Sequence, residues 1–164
     1  RIVIVSDEVP PSIILSGKAL MNLEVGSNFT DPGAEADDDV DGEVDVAVSG
    51  TVDTGTIGVY SLIYTASDDS GNAATPVVRT IIVEDSTAPD MVLNGLSSIE
   101  IGLGEHYLEA GATATDNYDG SVDIITSGTV DINTPGIYIL TYNAIDSSGN
   151  RAVPQTRTVI VNNE

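Results

Sequence analysis

The feature that most constrains this chain is that it repeats itself. Displaced by 78 residues and laid against itself, the sequence brings Pro11 onto Pro89, Gly17 onto Gly95, Gly33 onto Gly111, Gly50 onto Gly128 and Gly71 onto Gly149 without a gap. Ser49-Gly-Thr-Val-Asp53 recurs as Ser127-Gly-Thr-Val-Asp131, and Ser70-Gly-Asn72 as Ser148-Gly-Asn150. The same fold must therefore be satisfied twice within 164 residues, which leaves room for two small compact domains. Within each copy apolar residues alternate with a period of two, as in Tyr60, Leu62, Tyr64, Ala66 and Tyr138, Leu140, Tyr142, Ala144. Gly, Pro, Asp and Asn cluster between these runs. No window places apolar residues at i, i+3, i+4 and i+7 between helix caps. The prediction is all-β, with about seven short strands per copy.

Seven strands is the size of an Ig-like Greek-key β-sandwich, and two such sandwiches in tandem are expected over residues 6–84 and 85–164. At the same offset Arg1-Ile-Val-Ile-Val5 aligns with Arg79-Thr-Ile-Ile-Val83, which recurs as Arg157-Thr-Val-Ile-Val161. The latter two close their copies. Residues 1–5 are accordingly expected to be the last strand of a preceding, absent repeat, and the chain a slice of a longer array. The connectors Ser6-Asp-Glu-Val-Pro-Pro11 and Glu84-Asp-Ser-Thr-Ala-Pro89 are short and stiffened by Pro, which favours a fixed joint between neighbouring repeats.

Charge narrows the partners. With 26 Asp and Glu against 5 Lys and Arg, the formal net charge is −21, which argues against nucleic acid and anionic membrane surfaces. No apolar run approaches the roughly 20 residues of a membrane helix, so direct membrane insertion is not expected. The absence of Cys removes disulfides and thiolate chemistry, and a single His leaves little nitrogen ligation. Carboxylates and backbone carbonyls remain, and their natural ligands are cations.

The acids are not spread evenly. Each copy carries two acidic loop clusters: Asp37-Asp-Asp-Val-Asp-Gly42 and Asp68-Asp-Ser-Gly-Asn72 in the first, Asp116-Asn-Tyr-Asp-Gly120 and Asp146-Ser-Ser-Gly-Asn150 in the second. By strand count these are the B–C and F–G loops, which in such a sandwich lie at the end where the chain enters, beside Asp7 or Asp85. Three acidic segments meeting at one place repel one another unless a cation holds them. Oxygen-only donors select a hard cation, and a flexible site of about seven oxygens suits Ca²⁺ better than Mg²⁺. Plainer causes of acidic loops compete with a metal. Asp and Asn populate turns without any ion, and an acidic surface serves solubility. Against the second, Asp outnumbers Glu 17 to 9 and bunches in the same loops of both copies. An EF-hand fits the start of Asp37-x-Asp39-x-Asp41-Gly42, but its twelfth position is Val48 where a bidentate Glu is needed.

The run Tyr107-Leu-Glu-Ala-Gly-Ala-Thr-Ala-Thr-Asp-Asn-Tyr-Asp-Gly120, followed by Thr134-Pro-Gly-Ile-Tyr138 and Thr141-Tyr-Asn-Ala-Ile-Asp-Ser-Ser-Gly-Asn150, resembles the bacterial Ig-like repeat first described in an insecticidal crystal toxin. It is also similar to HYR and cadherin-like modules of secreted and surface proteins. The resemblance covers both copies nearly end to end. It implies tandem Ig-like sandwiches in an extracellular or bacterial cell-surface protein, often a spacer or adhesive stalk, with Ca²⁺ at loop ends or domain junctions in the cadherin-like relatives. Carried over by position, the ligand candidates are Asp38, Asp39, Asp41 and Asp68 in the first copy and Asp116, Asn117, Asp119 and Asp146 in the second, joined by Asp7 and Asp85 of the connectors. Asp39 stands where the run usually has Asn, and Asp69 where the second copy has a neutral residue, so the first site differs in charge from the second.

Tyr60 and Tyr138, each two residues after a Gly, have the placement of tyrosine corners. Tyr64, Tyr142, Phe29 and Tyr107 are assigned to the cores. Arg79 and Arg157 are expected to pair with local carboxylates at strand starts, and His106, opposite Asn28 in the repeat, to lie on the surface. The leading functional expectation is a non-catalytic, Ca²⁺-stabilised spacer or stalk, as in an adhesin, whose partners are neighbouring repeats and a surface polysaccharide or protein. The alternative is a carbohydrate- or protein-binding module attached to an extracellular enzyme, against which stand the absence of Trp and the single loop aromatic, Tyr118.

Overall fold

The computed structural model describes Ile2 and residues 6–163. The strand expected over residues 1–5 falls, Ile2 apart, outside the described residues. The chain forms two compact units, Arg1–Asp85 and Ser86–Glu164. The first holds β1 (Ser12–Leu15), β2 (Leu20–Glu24), β3 (Ala34–Asp38), β4 (Gly42–Val44), β5 (Val46–Ser49), β6 (Gly58–Ala66) and β7 (Val77–Glu84). The second holds β8 (Asp90–Leu93), β9 (Ser98–Gly102), β10 (Ala112–Asp116), β11 (Gly120–Val122), β12 (Ile124–Ser127), β13 (Gly136–Ala144) and β14 (Gln155–Asn162). Every strand of the second unit begins 78 residues after its counterpart, and no helix occurs among the described residues.

Each unit is a sandwich of a three-stranded and a four-stranded sheet, ordered β1-β3-β4 and β2-β7-β6-β5 in the first and β8-β10-β11 and β9-β14-β13-β12 in the second. The long β6–β7 and β13–β14 pairs are antiparallel, whereas β2 runs parallel to β7 and β9 parallel to β14. Period-two alternation decides what is buried. Leu62, Tyr64 and Ala66 of β6 and Ile81 and Val83 of β7 turn inward, as do Leu140, Tyr142, Ala144, Val159 and Val161. The inner side chains shrink toward one end of each unit, where Ala36, Ala66 and Ala74 pack together in the first and Ala114, Ala144 and Ala152 in the second. Small side chains let the sheets close up there, and the acidic loops emerge from that end.

Two turns are built around backbone constraints. Gly50 and Gly128 adopt φ of +109° and +95°, and a Cβ at either would overlap the carbonyl oxygen of Ser61 or Ile139. This is why the identical Ser-Gly-Thr-Val-Asp segments need their Gly. The Tyr60 hydroxyl donates to the Thr56 carbonyl at 2.8 Å and that of Tyr138 to Thr134 at 2.8 Å, forming the two tyrosine corners.

Two features differ from expectation. The first acidic cluster is not a connection between sheets. Asp38 pairs with Gly42, so residues 39–41 are the turn of a hairpin within the three-stranded sheet, and the chain crosses to the other sheet at the single residue Asp45. Asp123 makes the same crossing between β11 and β12. Second, Arg79 and Arg157 do meet carboxylates, Asp31 and Glu109, but inside the core and at 0% exposure. Strand alternation places Arg79 on the same inward face as Ile81 and Val83. Each guanidinium also donates to backbone carbonyls, those of Ser16 and Gly33 for Arg79 and those of Leu96, Asn94 and Gly111 for Arg157.

Candidate metal centre

The alternation that buries Ala36 carries on to Asp38, and the alternation through Leu62, Tyr64 and Ala66 carries on to Asp68. Both carboxylates are thus placed on the inward face, at 5% and 7% exposure. A solvating acid would face outward. The β3–β4 hairpin then brings Asp41 round, and the connector ahead of β1 supplies Asp7. Carboxylate oxygens of Asp7, Asp38, Asp41 and Asp68 all lie within 4.8 Å of one another.

Hydrogen bonds hold the backs of these carboxylates. Asp38 Oδ1 accepts from the amides of Val40 (2.9 Å) and Asp41 (3.1 Å), and Asp7 Oδ1 from that of Val9 (3.0 Å). Asp41 Oδ2 accepts from the Asp69 amide (2.9 Å), which ties the hairpin to the β6–β7 loop. Asn72 makes three of these bonds: its amide donates to Asp68 Oδ1, and its side chain donates to Asp68 Oδ2 and to the Asp7 carbonyl. One Asn thereby joins loop and connector. The sequence signal for this role is that an Asn stands four residues after the acid in both copies. What remains is a set of front oxygens: Asp7 Oδ2 and Asp38 Oδ2 are buried without a hydrogen-bond partner.

The second unit repeats the scheme with its own residues. Asp116 Oδ1 accepts from the amides of Tyr118 (2.8 Å) and Asp119 (3.0 Å), while Asp116 Oδ2 is buried without a hydrogen-bond partner. Asp116 and Asp119 approach within 4.8 Å. Asp146, 7% exposed, accepts from the Asn150 amide and side chain. Asp85, the last residue of the first unit, is also buried. Asp39 and Asn117 sit exposed on the outside of their hairpin turns. Burial pushes the Asp68 and Asp146 carboxyls up, but the hydrogen bonds from Asn72 and Asn150 and from the loop amides outweigh it and hold both below the ordinary value.

Four carboxylates at this spacing are costly when all are ionised, each like-charged pair at an effective dielectric of about 20 opposing the fold by about 3 kcal/mol before relaxation. A cation reverses the sign. Two bonds of about 2.4 Å on opposite sides of Ca²⁺ span about 4.8 Å, and hard oxygen donors without Cys or His are its ordinary ligands.

Residues 13–83 and 91–161 each match the profile of the bacterial surface protein Ig-like domain. A protein of 81.3 kDa from Acholeplasma phage L2 is 34% identical over 68% of this chain, and Hyalin from Strongylocentrotus purpuratus is 30% identical over 96% of it. The chain spans 16% and 14% of the length of these two relatives. Among solved structures, a lipoprotein from Bacteroides thetaiotaomicron is similar at 18% identity and a TM-score of 0.42, with 90% of this chain and 98% of that one covered. Drosophila N-cadherin is similar at 15% identity and a TM-score of 0.38, with 96% and 69% covered.

Proposed function

The chain belongs to the family of bacterial surface protein Ig-like domains, and from that premise we propose that it is a non-catalytic spacer or stalk segment, each of whose sandwiches is clamped by Ca²⁺ at the end where the chain enters. The observation that carries the reading is the gathering of the carboxylates of Asp7, Asp38, Asp41 and Asp68, two of them with a buried front oxygen that no hydrogen bond satisfies. In the second unit Asp116, Asp119 and Asp146 take the same parts.

The cation would do what packing alone cannot. The Ala-lined end of each sandwich contributes little apolar burial, and the first connector is otherwise tied there through Asp7 and Asn72. Binding to Asp7 and the two loops together makes the connector part of the folded unit, which an element that spaces or bears tension needs. Neighbouring repeats are the first partners of such a segment, and a surface polysaccharide or protein is the partner of an adhesive array.

Because Ca²⁺ binds the folded state, it stabilises by about 2.7 kcal/mol per site at a hundredfold excess over Kd. For a domain of this size that raises the melting temperature by about 10 °C or more. Differential scanning calorimetry in millimolar Ca²⁺ and in EDTA at one ionic strength tests this, and coincident melting curves would refute the clamp.

A further inference from the structure

The two ends that gather carboxylates are not electrically equivalent. Around the first lie ten acids: Asp7, Glu8, Asp37, Asp38, Asp39, Asp41, Glu43, Asp45, Asp68 and Asp69. Seventy-eight residues on, Glu8, Asp39, Glu43 and Asp69 become Ser86, Asn117, Ser121 and Ser147, five stay Asp, and Asp37 becomes Thr115 while its strand partner Ser12 becomes Asp90, so that the first end carries four more charges. The four extra charges of the first unit are all exposed. They flank the gathered carboxylates on both sides. Glu43 and Asp69 share a hollow with Asp41 and Asp45, and Glu8 and Asp39 share another with Asp7. In the second unit the hollow beside Asp119 is lined by Ser121 and Ser147 instead.

Hydrogen bonding separates the sites further. Asp41 takes one bond from position 69, the backbone amide on Oδ2. Asp119 takes two from position 147, the Ser amide on Oδ2 at 2.7 Å and the Ser hydroxyl on Oδ1 at 2.7 Å. A cation entering the second site competes with a hydroxyl for Asp119, whereas at the first the neighbouring carboxylate of Asp69 adds attraction.

Resting on the Ca²⁺ reading above, we propose that the two sites fill in sequence, the first at about tenfold lower free Ca²⁺ than the second. Affinity at oxygen sites follows ligand charge and its surroundings. Exposed charges within about a Debye length of a divalent ion each raise its affinity by roughly twofold at low salt, so four give about one order of magnitude. The gap narrows as salt rises. An array built of such unequal repeats would stiffen in steps as Ca²⁺ rises rather than at one threshold.

The test is a Ca²⁺ titration of the intact chain followed at the amides of Gly42 and Gly120 by NMR. The expected result is a Gly42 midpoint about tenfold below that of Gly120. It should be brought within about twofold by the E8S/D39N/E43S/D69S variant, and narrowed to about threefold by the reciprocal N117D/S147D variant, which supplies two of the four charges. Coincident midpoints in the unaltered chain, or a gap that neither variant changes, would overturn the proposal. Silence at both glycines would overturn the Ca²⁺ reading itself, a different outcome from two responses of equal midpoint.

Discussion

The two units bury the same cation and neutralise it differently. In the first, Asp31 Oδ1 lies 3.4 Å from Arg79 Nε and accepts the Tyr64 hydroxyl at 2.6 Å, while Phe29 packs nearby in the core. In the second, the residue equivalent to Asp31 is Glu109 and that equivalent to Phe29 is Tyr107. Glu109 Oε1 meets Arg157 and its Oε2 accepts the Tyr107 hydroxyl. The Tyr142 hydroxyl, equivalent to that of Tyr64, is left buried without a hydrogen-bond partner among the described residues. One extra methylene moves the carboxylate from one tyrosine to the other. What the repeat preserves is therefore a requirement, a carboxylate for the buried guanidinium and a hydroxyl for the carboxylate, and not a particular set of side chains. The arginine is common to both because its job, binding carbonyls of the opposite sheet beneath Tyr64 or Tyr142, depends on the backbone, which is the same in both units.

The comparison breaks most readily at the carboxylates. Asp31→Ala and Glu109→Ala each leave a guanidinium at 0% exposure without its counter-charge, and each should destabilise its own unit by about 3–5 kcal/mol in urea denaturation. A loss below about 1 kcal/mol in either would mean that the carbonyls alone satisfy the arginine. A finer contrast lies in the tyrosines. Tyr64→Phe removes a hydrogen bond to a charged acceptor and should cost about 1.5–3 kcal/mol, as should Tyr107→Phe, while Tyr142→Phe should fall within about 0.5 kcal/mol of the unaltered chain. Equal costs for Tyr64→Phe and Tyr142→Phe would erase the distinction between the units.

The smallest effect is a dependence on pH. Burial raises the pKa of Tyr64, with Asp31 adding to it, and burial likewise raises those of Tyr142 and Tyr107. A phenol whose folded pKa lies above its unfolded value of about 10 favours the folded state of the neutral form. That contribution is complete below a pH of about 10 and is lost as pH climbs through the folded value. Unfolding monitored by phenolate absorbance should show stability declining only above about pH 10, and a decline beginning near neutrality would contradict this assignment.

Much of the fold is legible in the sequence because each element obeys one simple rule. Tyr60, Leu62, Tyr64 and Ala66 alternate cleanly, Gly and Asp mark the turns, and the offset of 78 carries every strand of one unit onto the other. The inward placement of Asp38 and Asp68 is legible too, since each continues an apolar alternation by one step. Two features are hidden for physical reasons. Arg79 follows the same alternation as Ile81 and Val83, yet its charge suggests the surface. Its burial becomes intelligible only once the carbonyls of Ser16 and Gly33 and the carboxylate of Asp31, up to 63 residues away in sequence, are brought to it by the sheets. The hairpin at Asp39–Asp41 is hidden because β4 is three residues long and is separated from β5 by Asp45 alone, so a change of sheet leaves no turn signal between them.

A Ca²⁺ clamp built from these gathered carboxylates is tested most directly by calorimetry of the unaltered chain and of Asp38→Asn, each in Ca²⁺ and in EDTA. Asp38→Asn keeps the shape of the β3–β4 turn and removes one buried charge from the first site alone. Ca²⁺ should raise both units' transitions in the unaltered chain, whereas in Asp38→Asn the first unit's transition should lose most of its Ca²⁺ response while the second keeps its own. A first transition that responds to Ca²⁺ equally in both proteins would contradict the clamp.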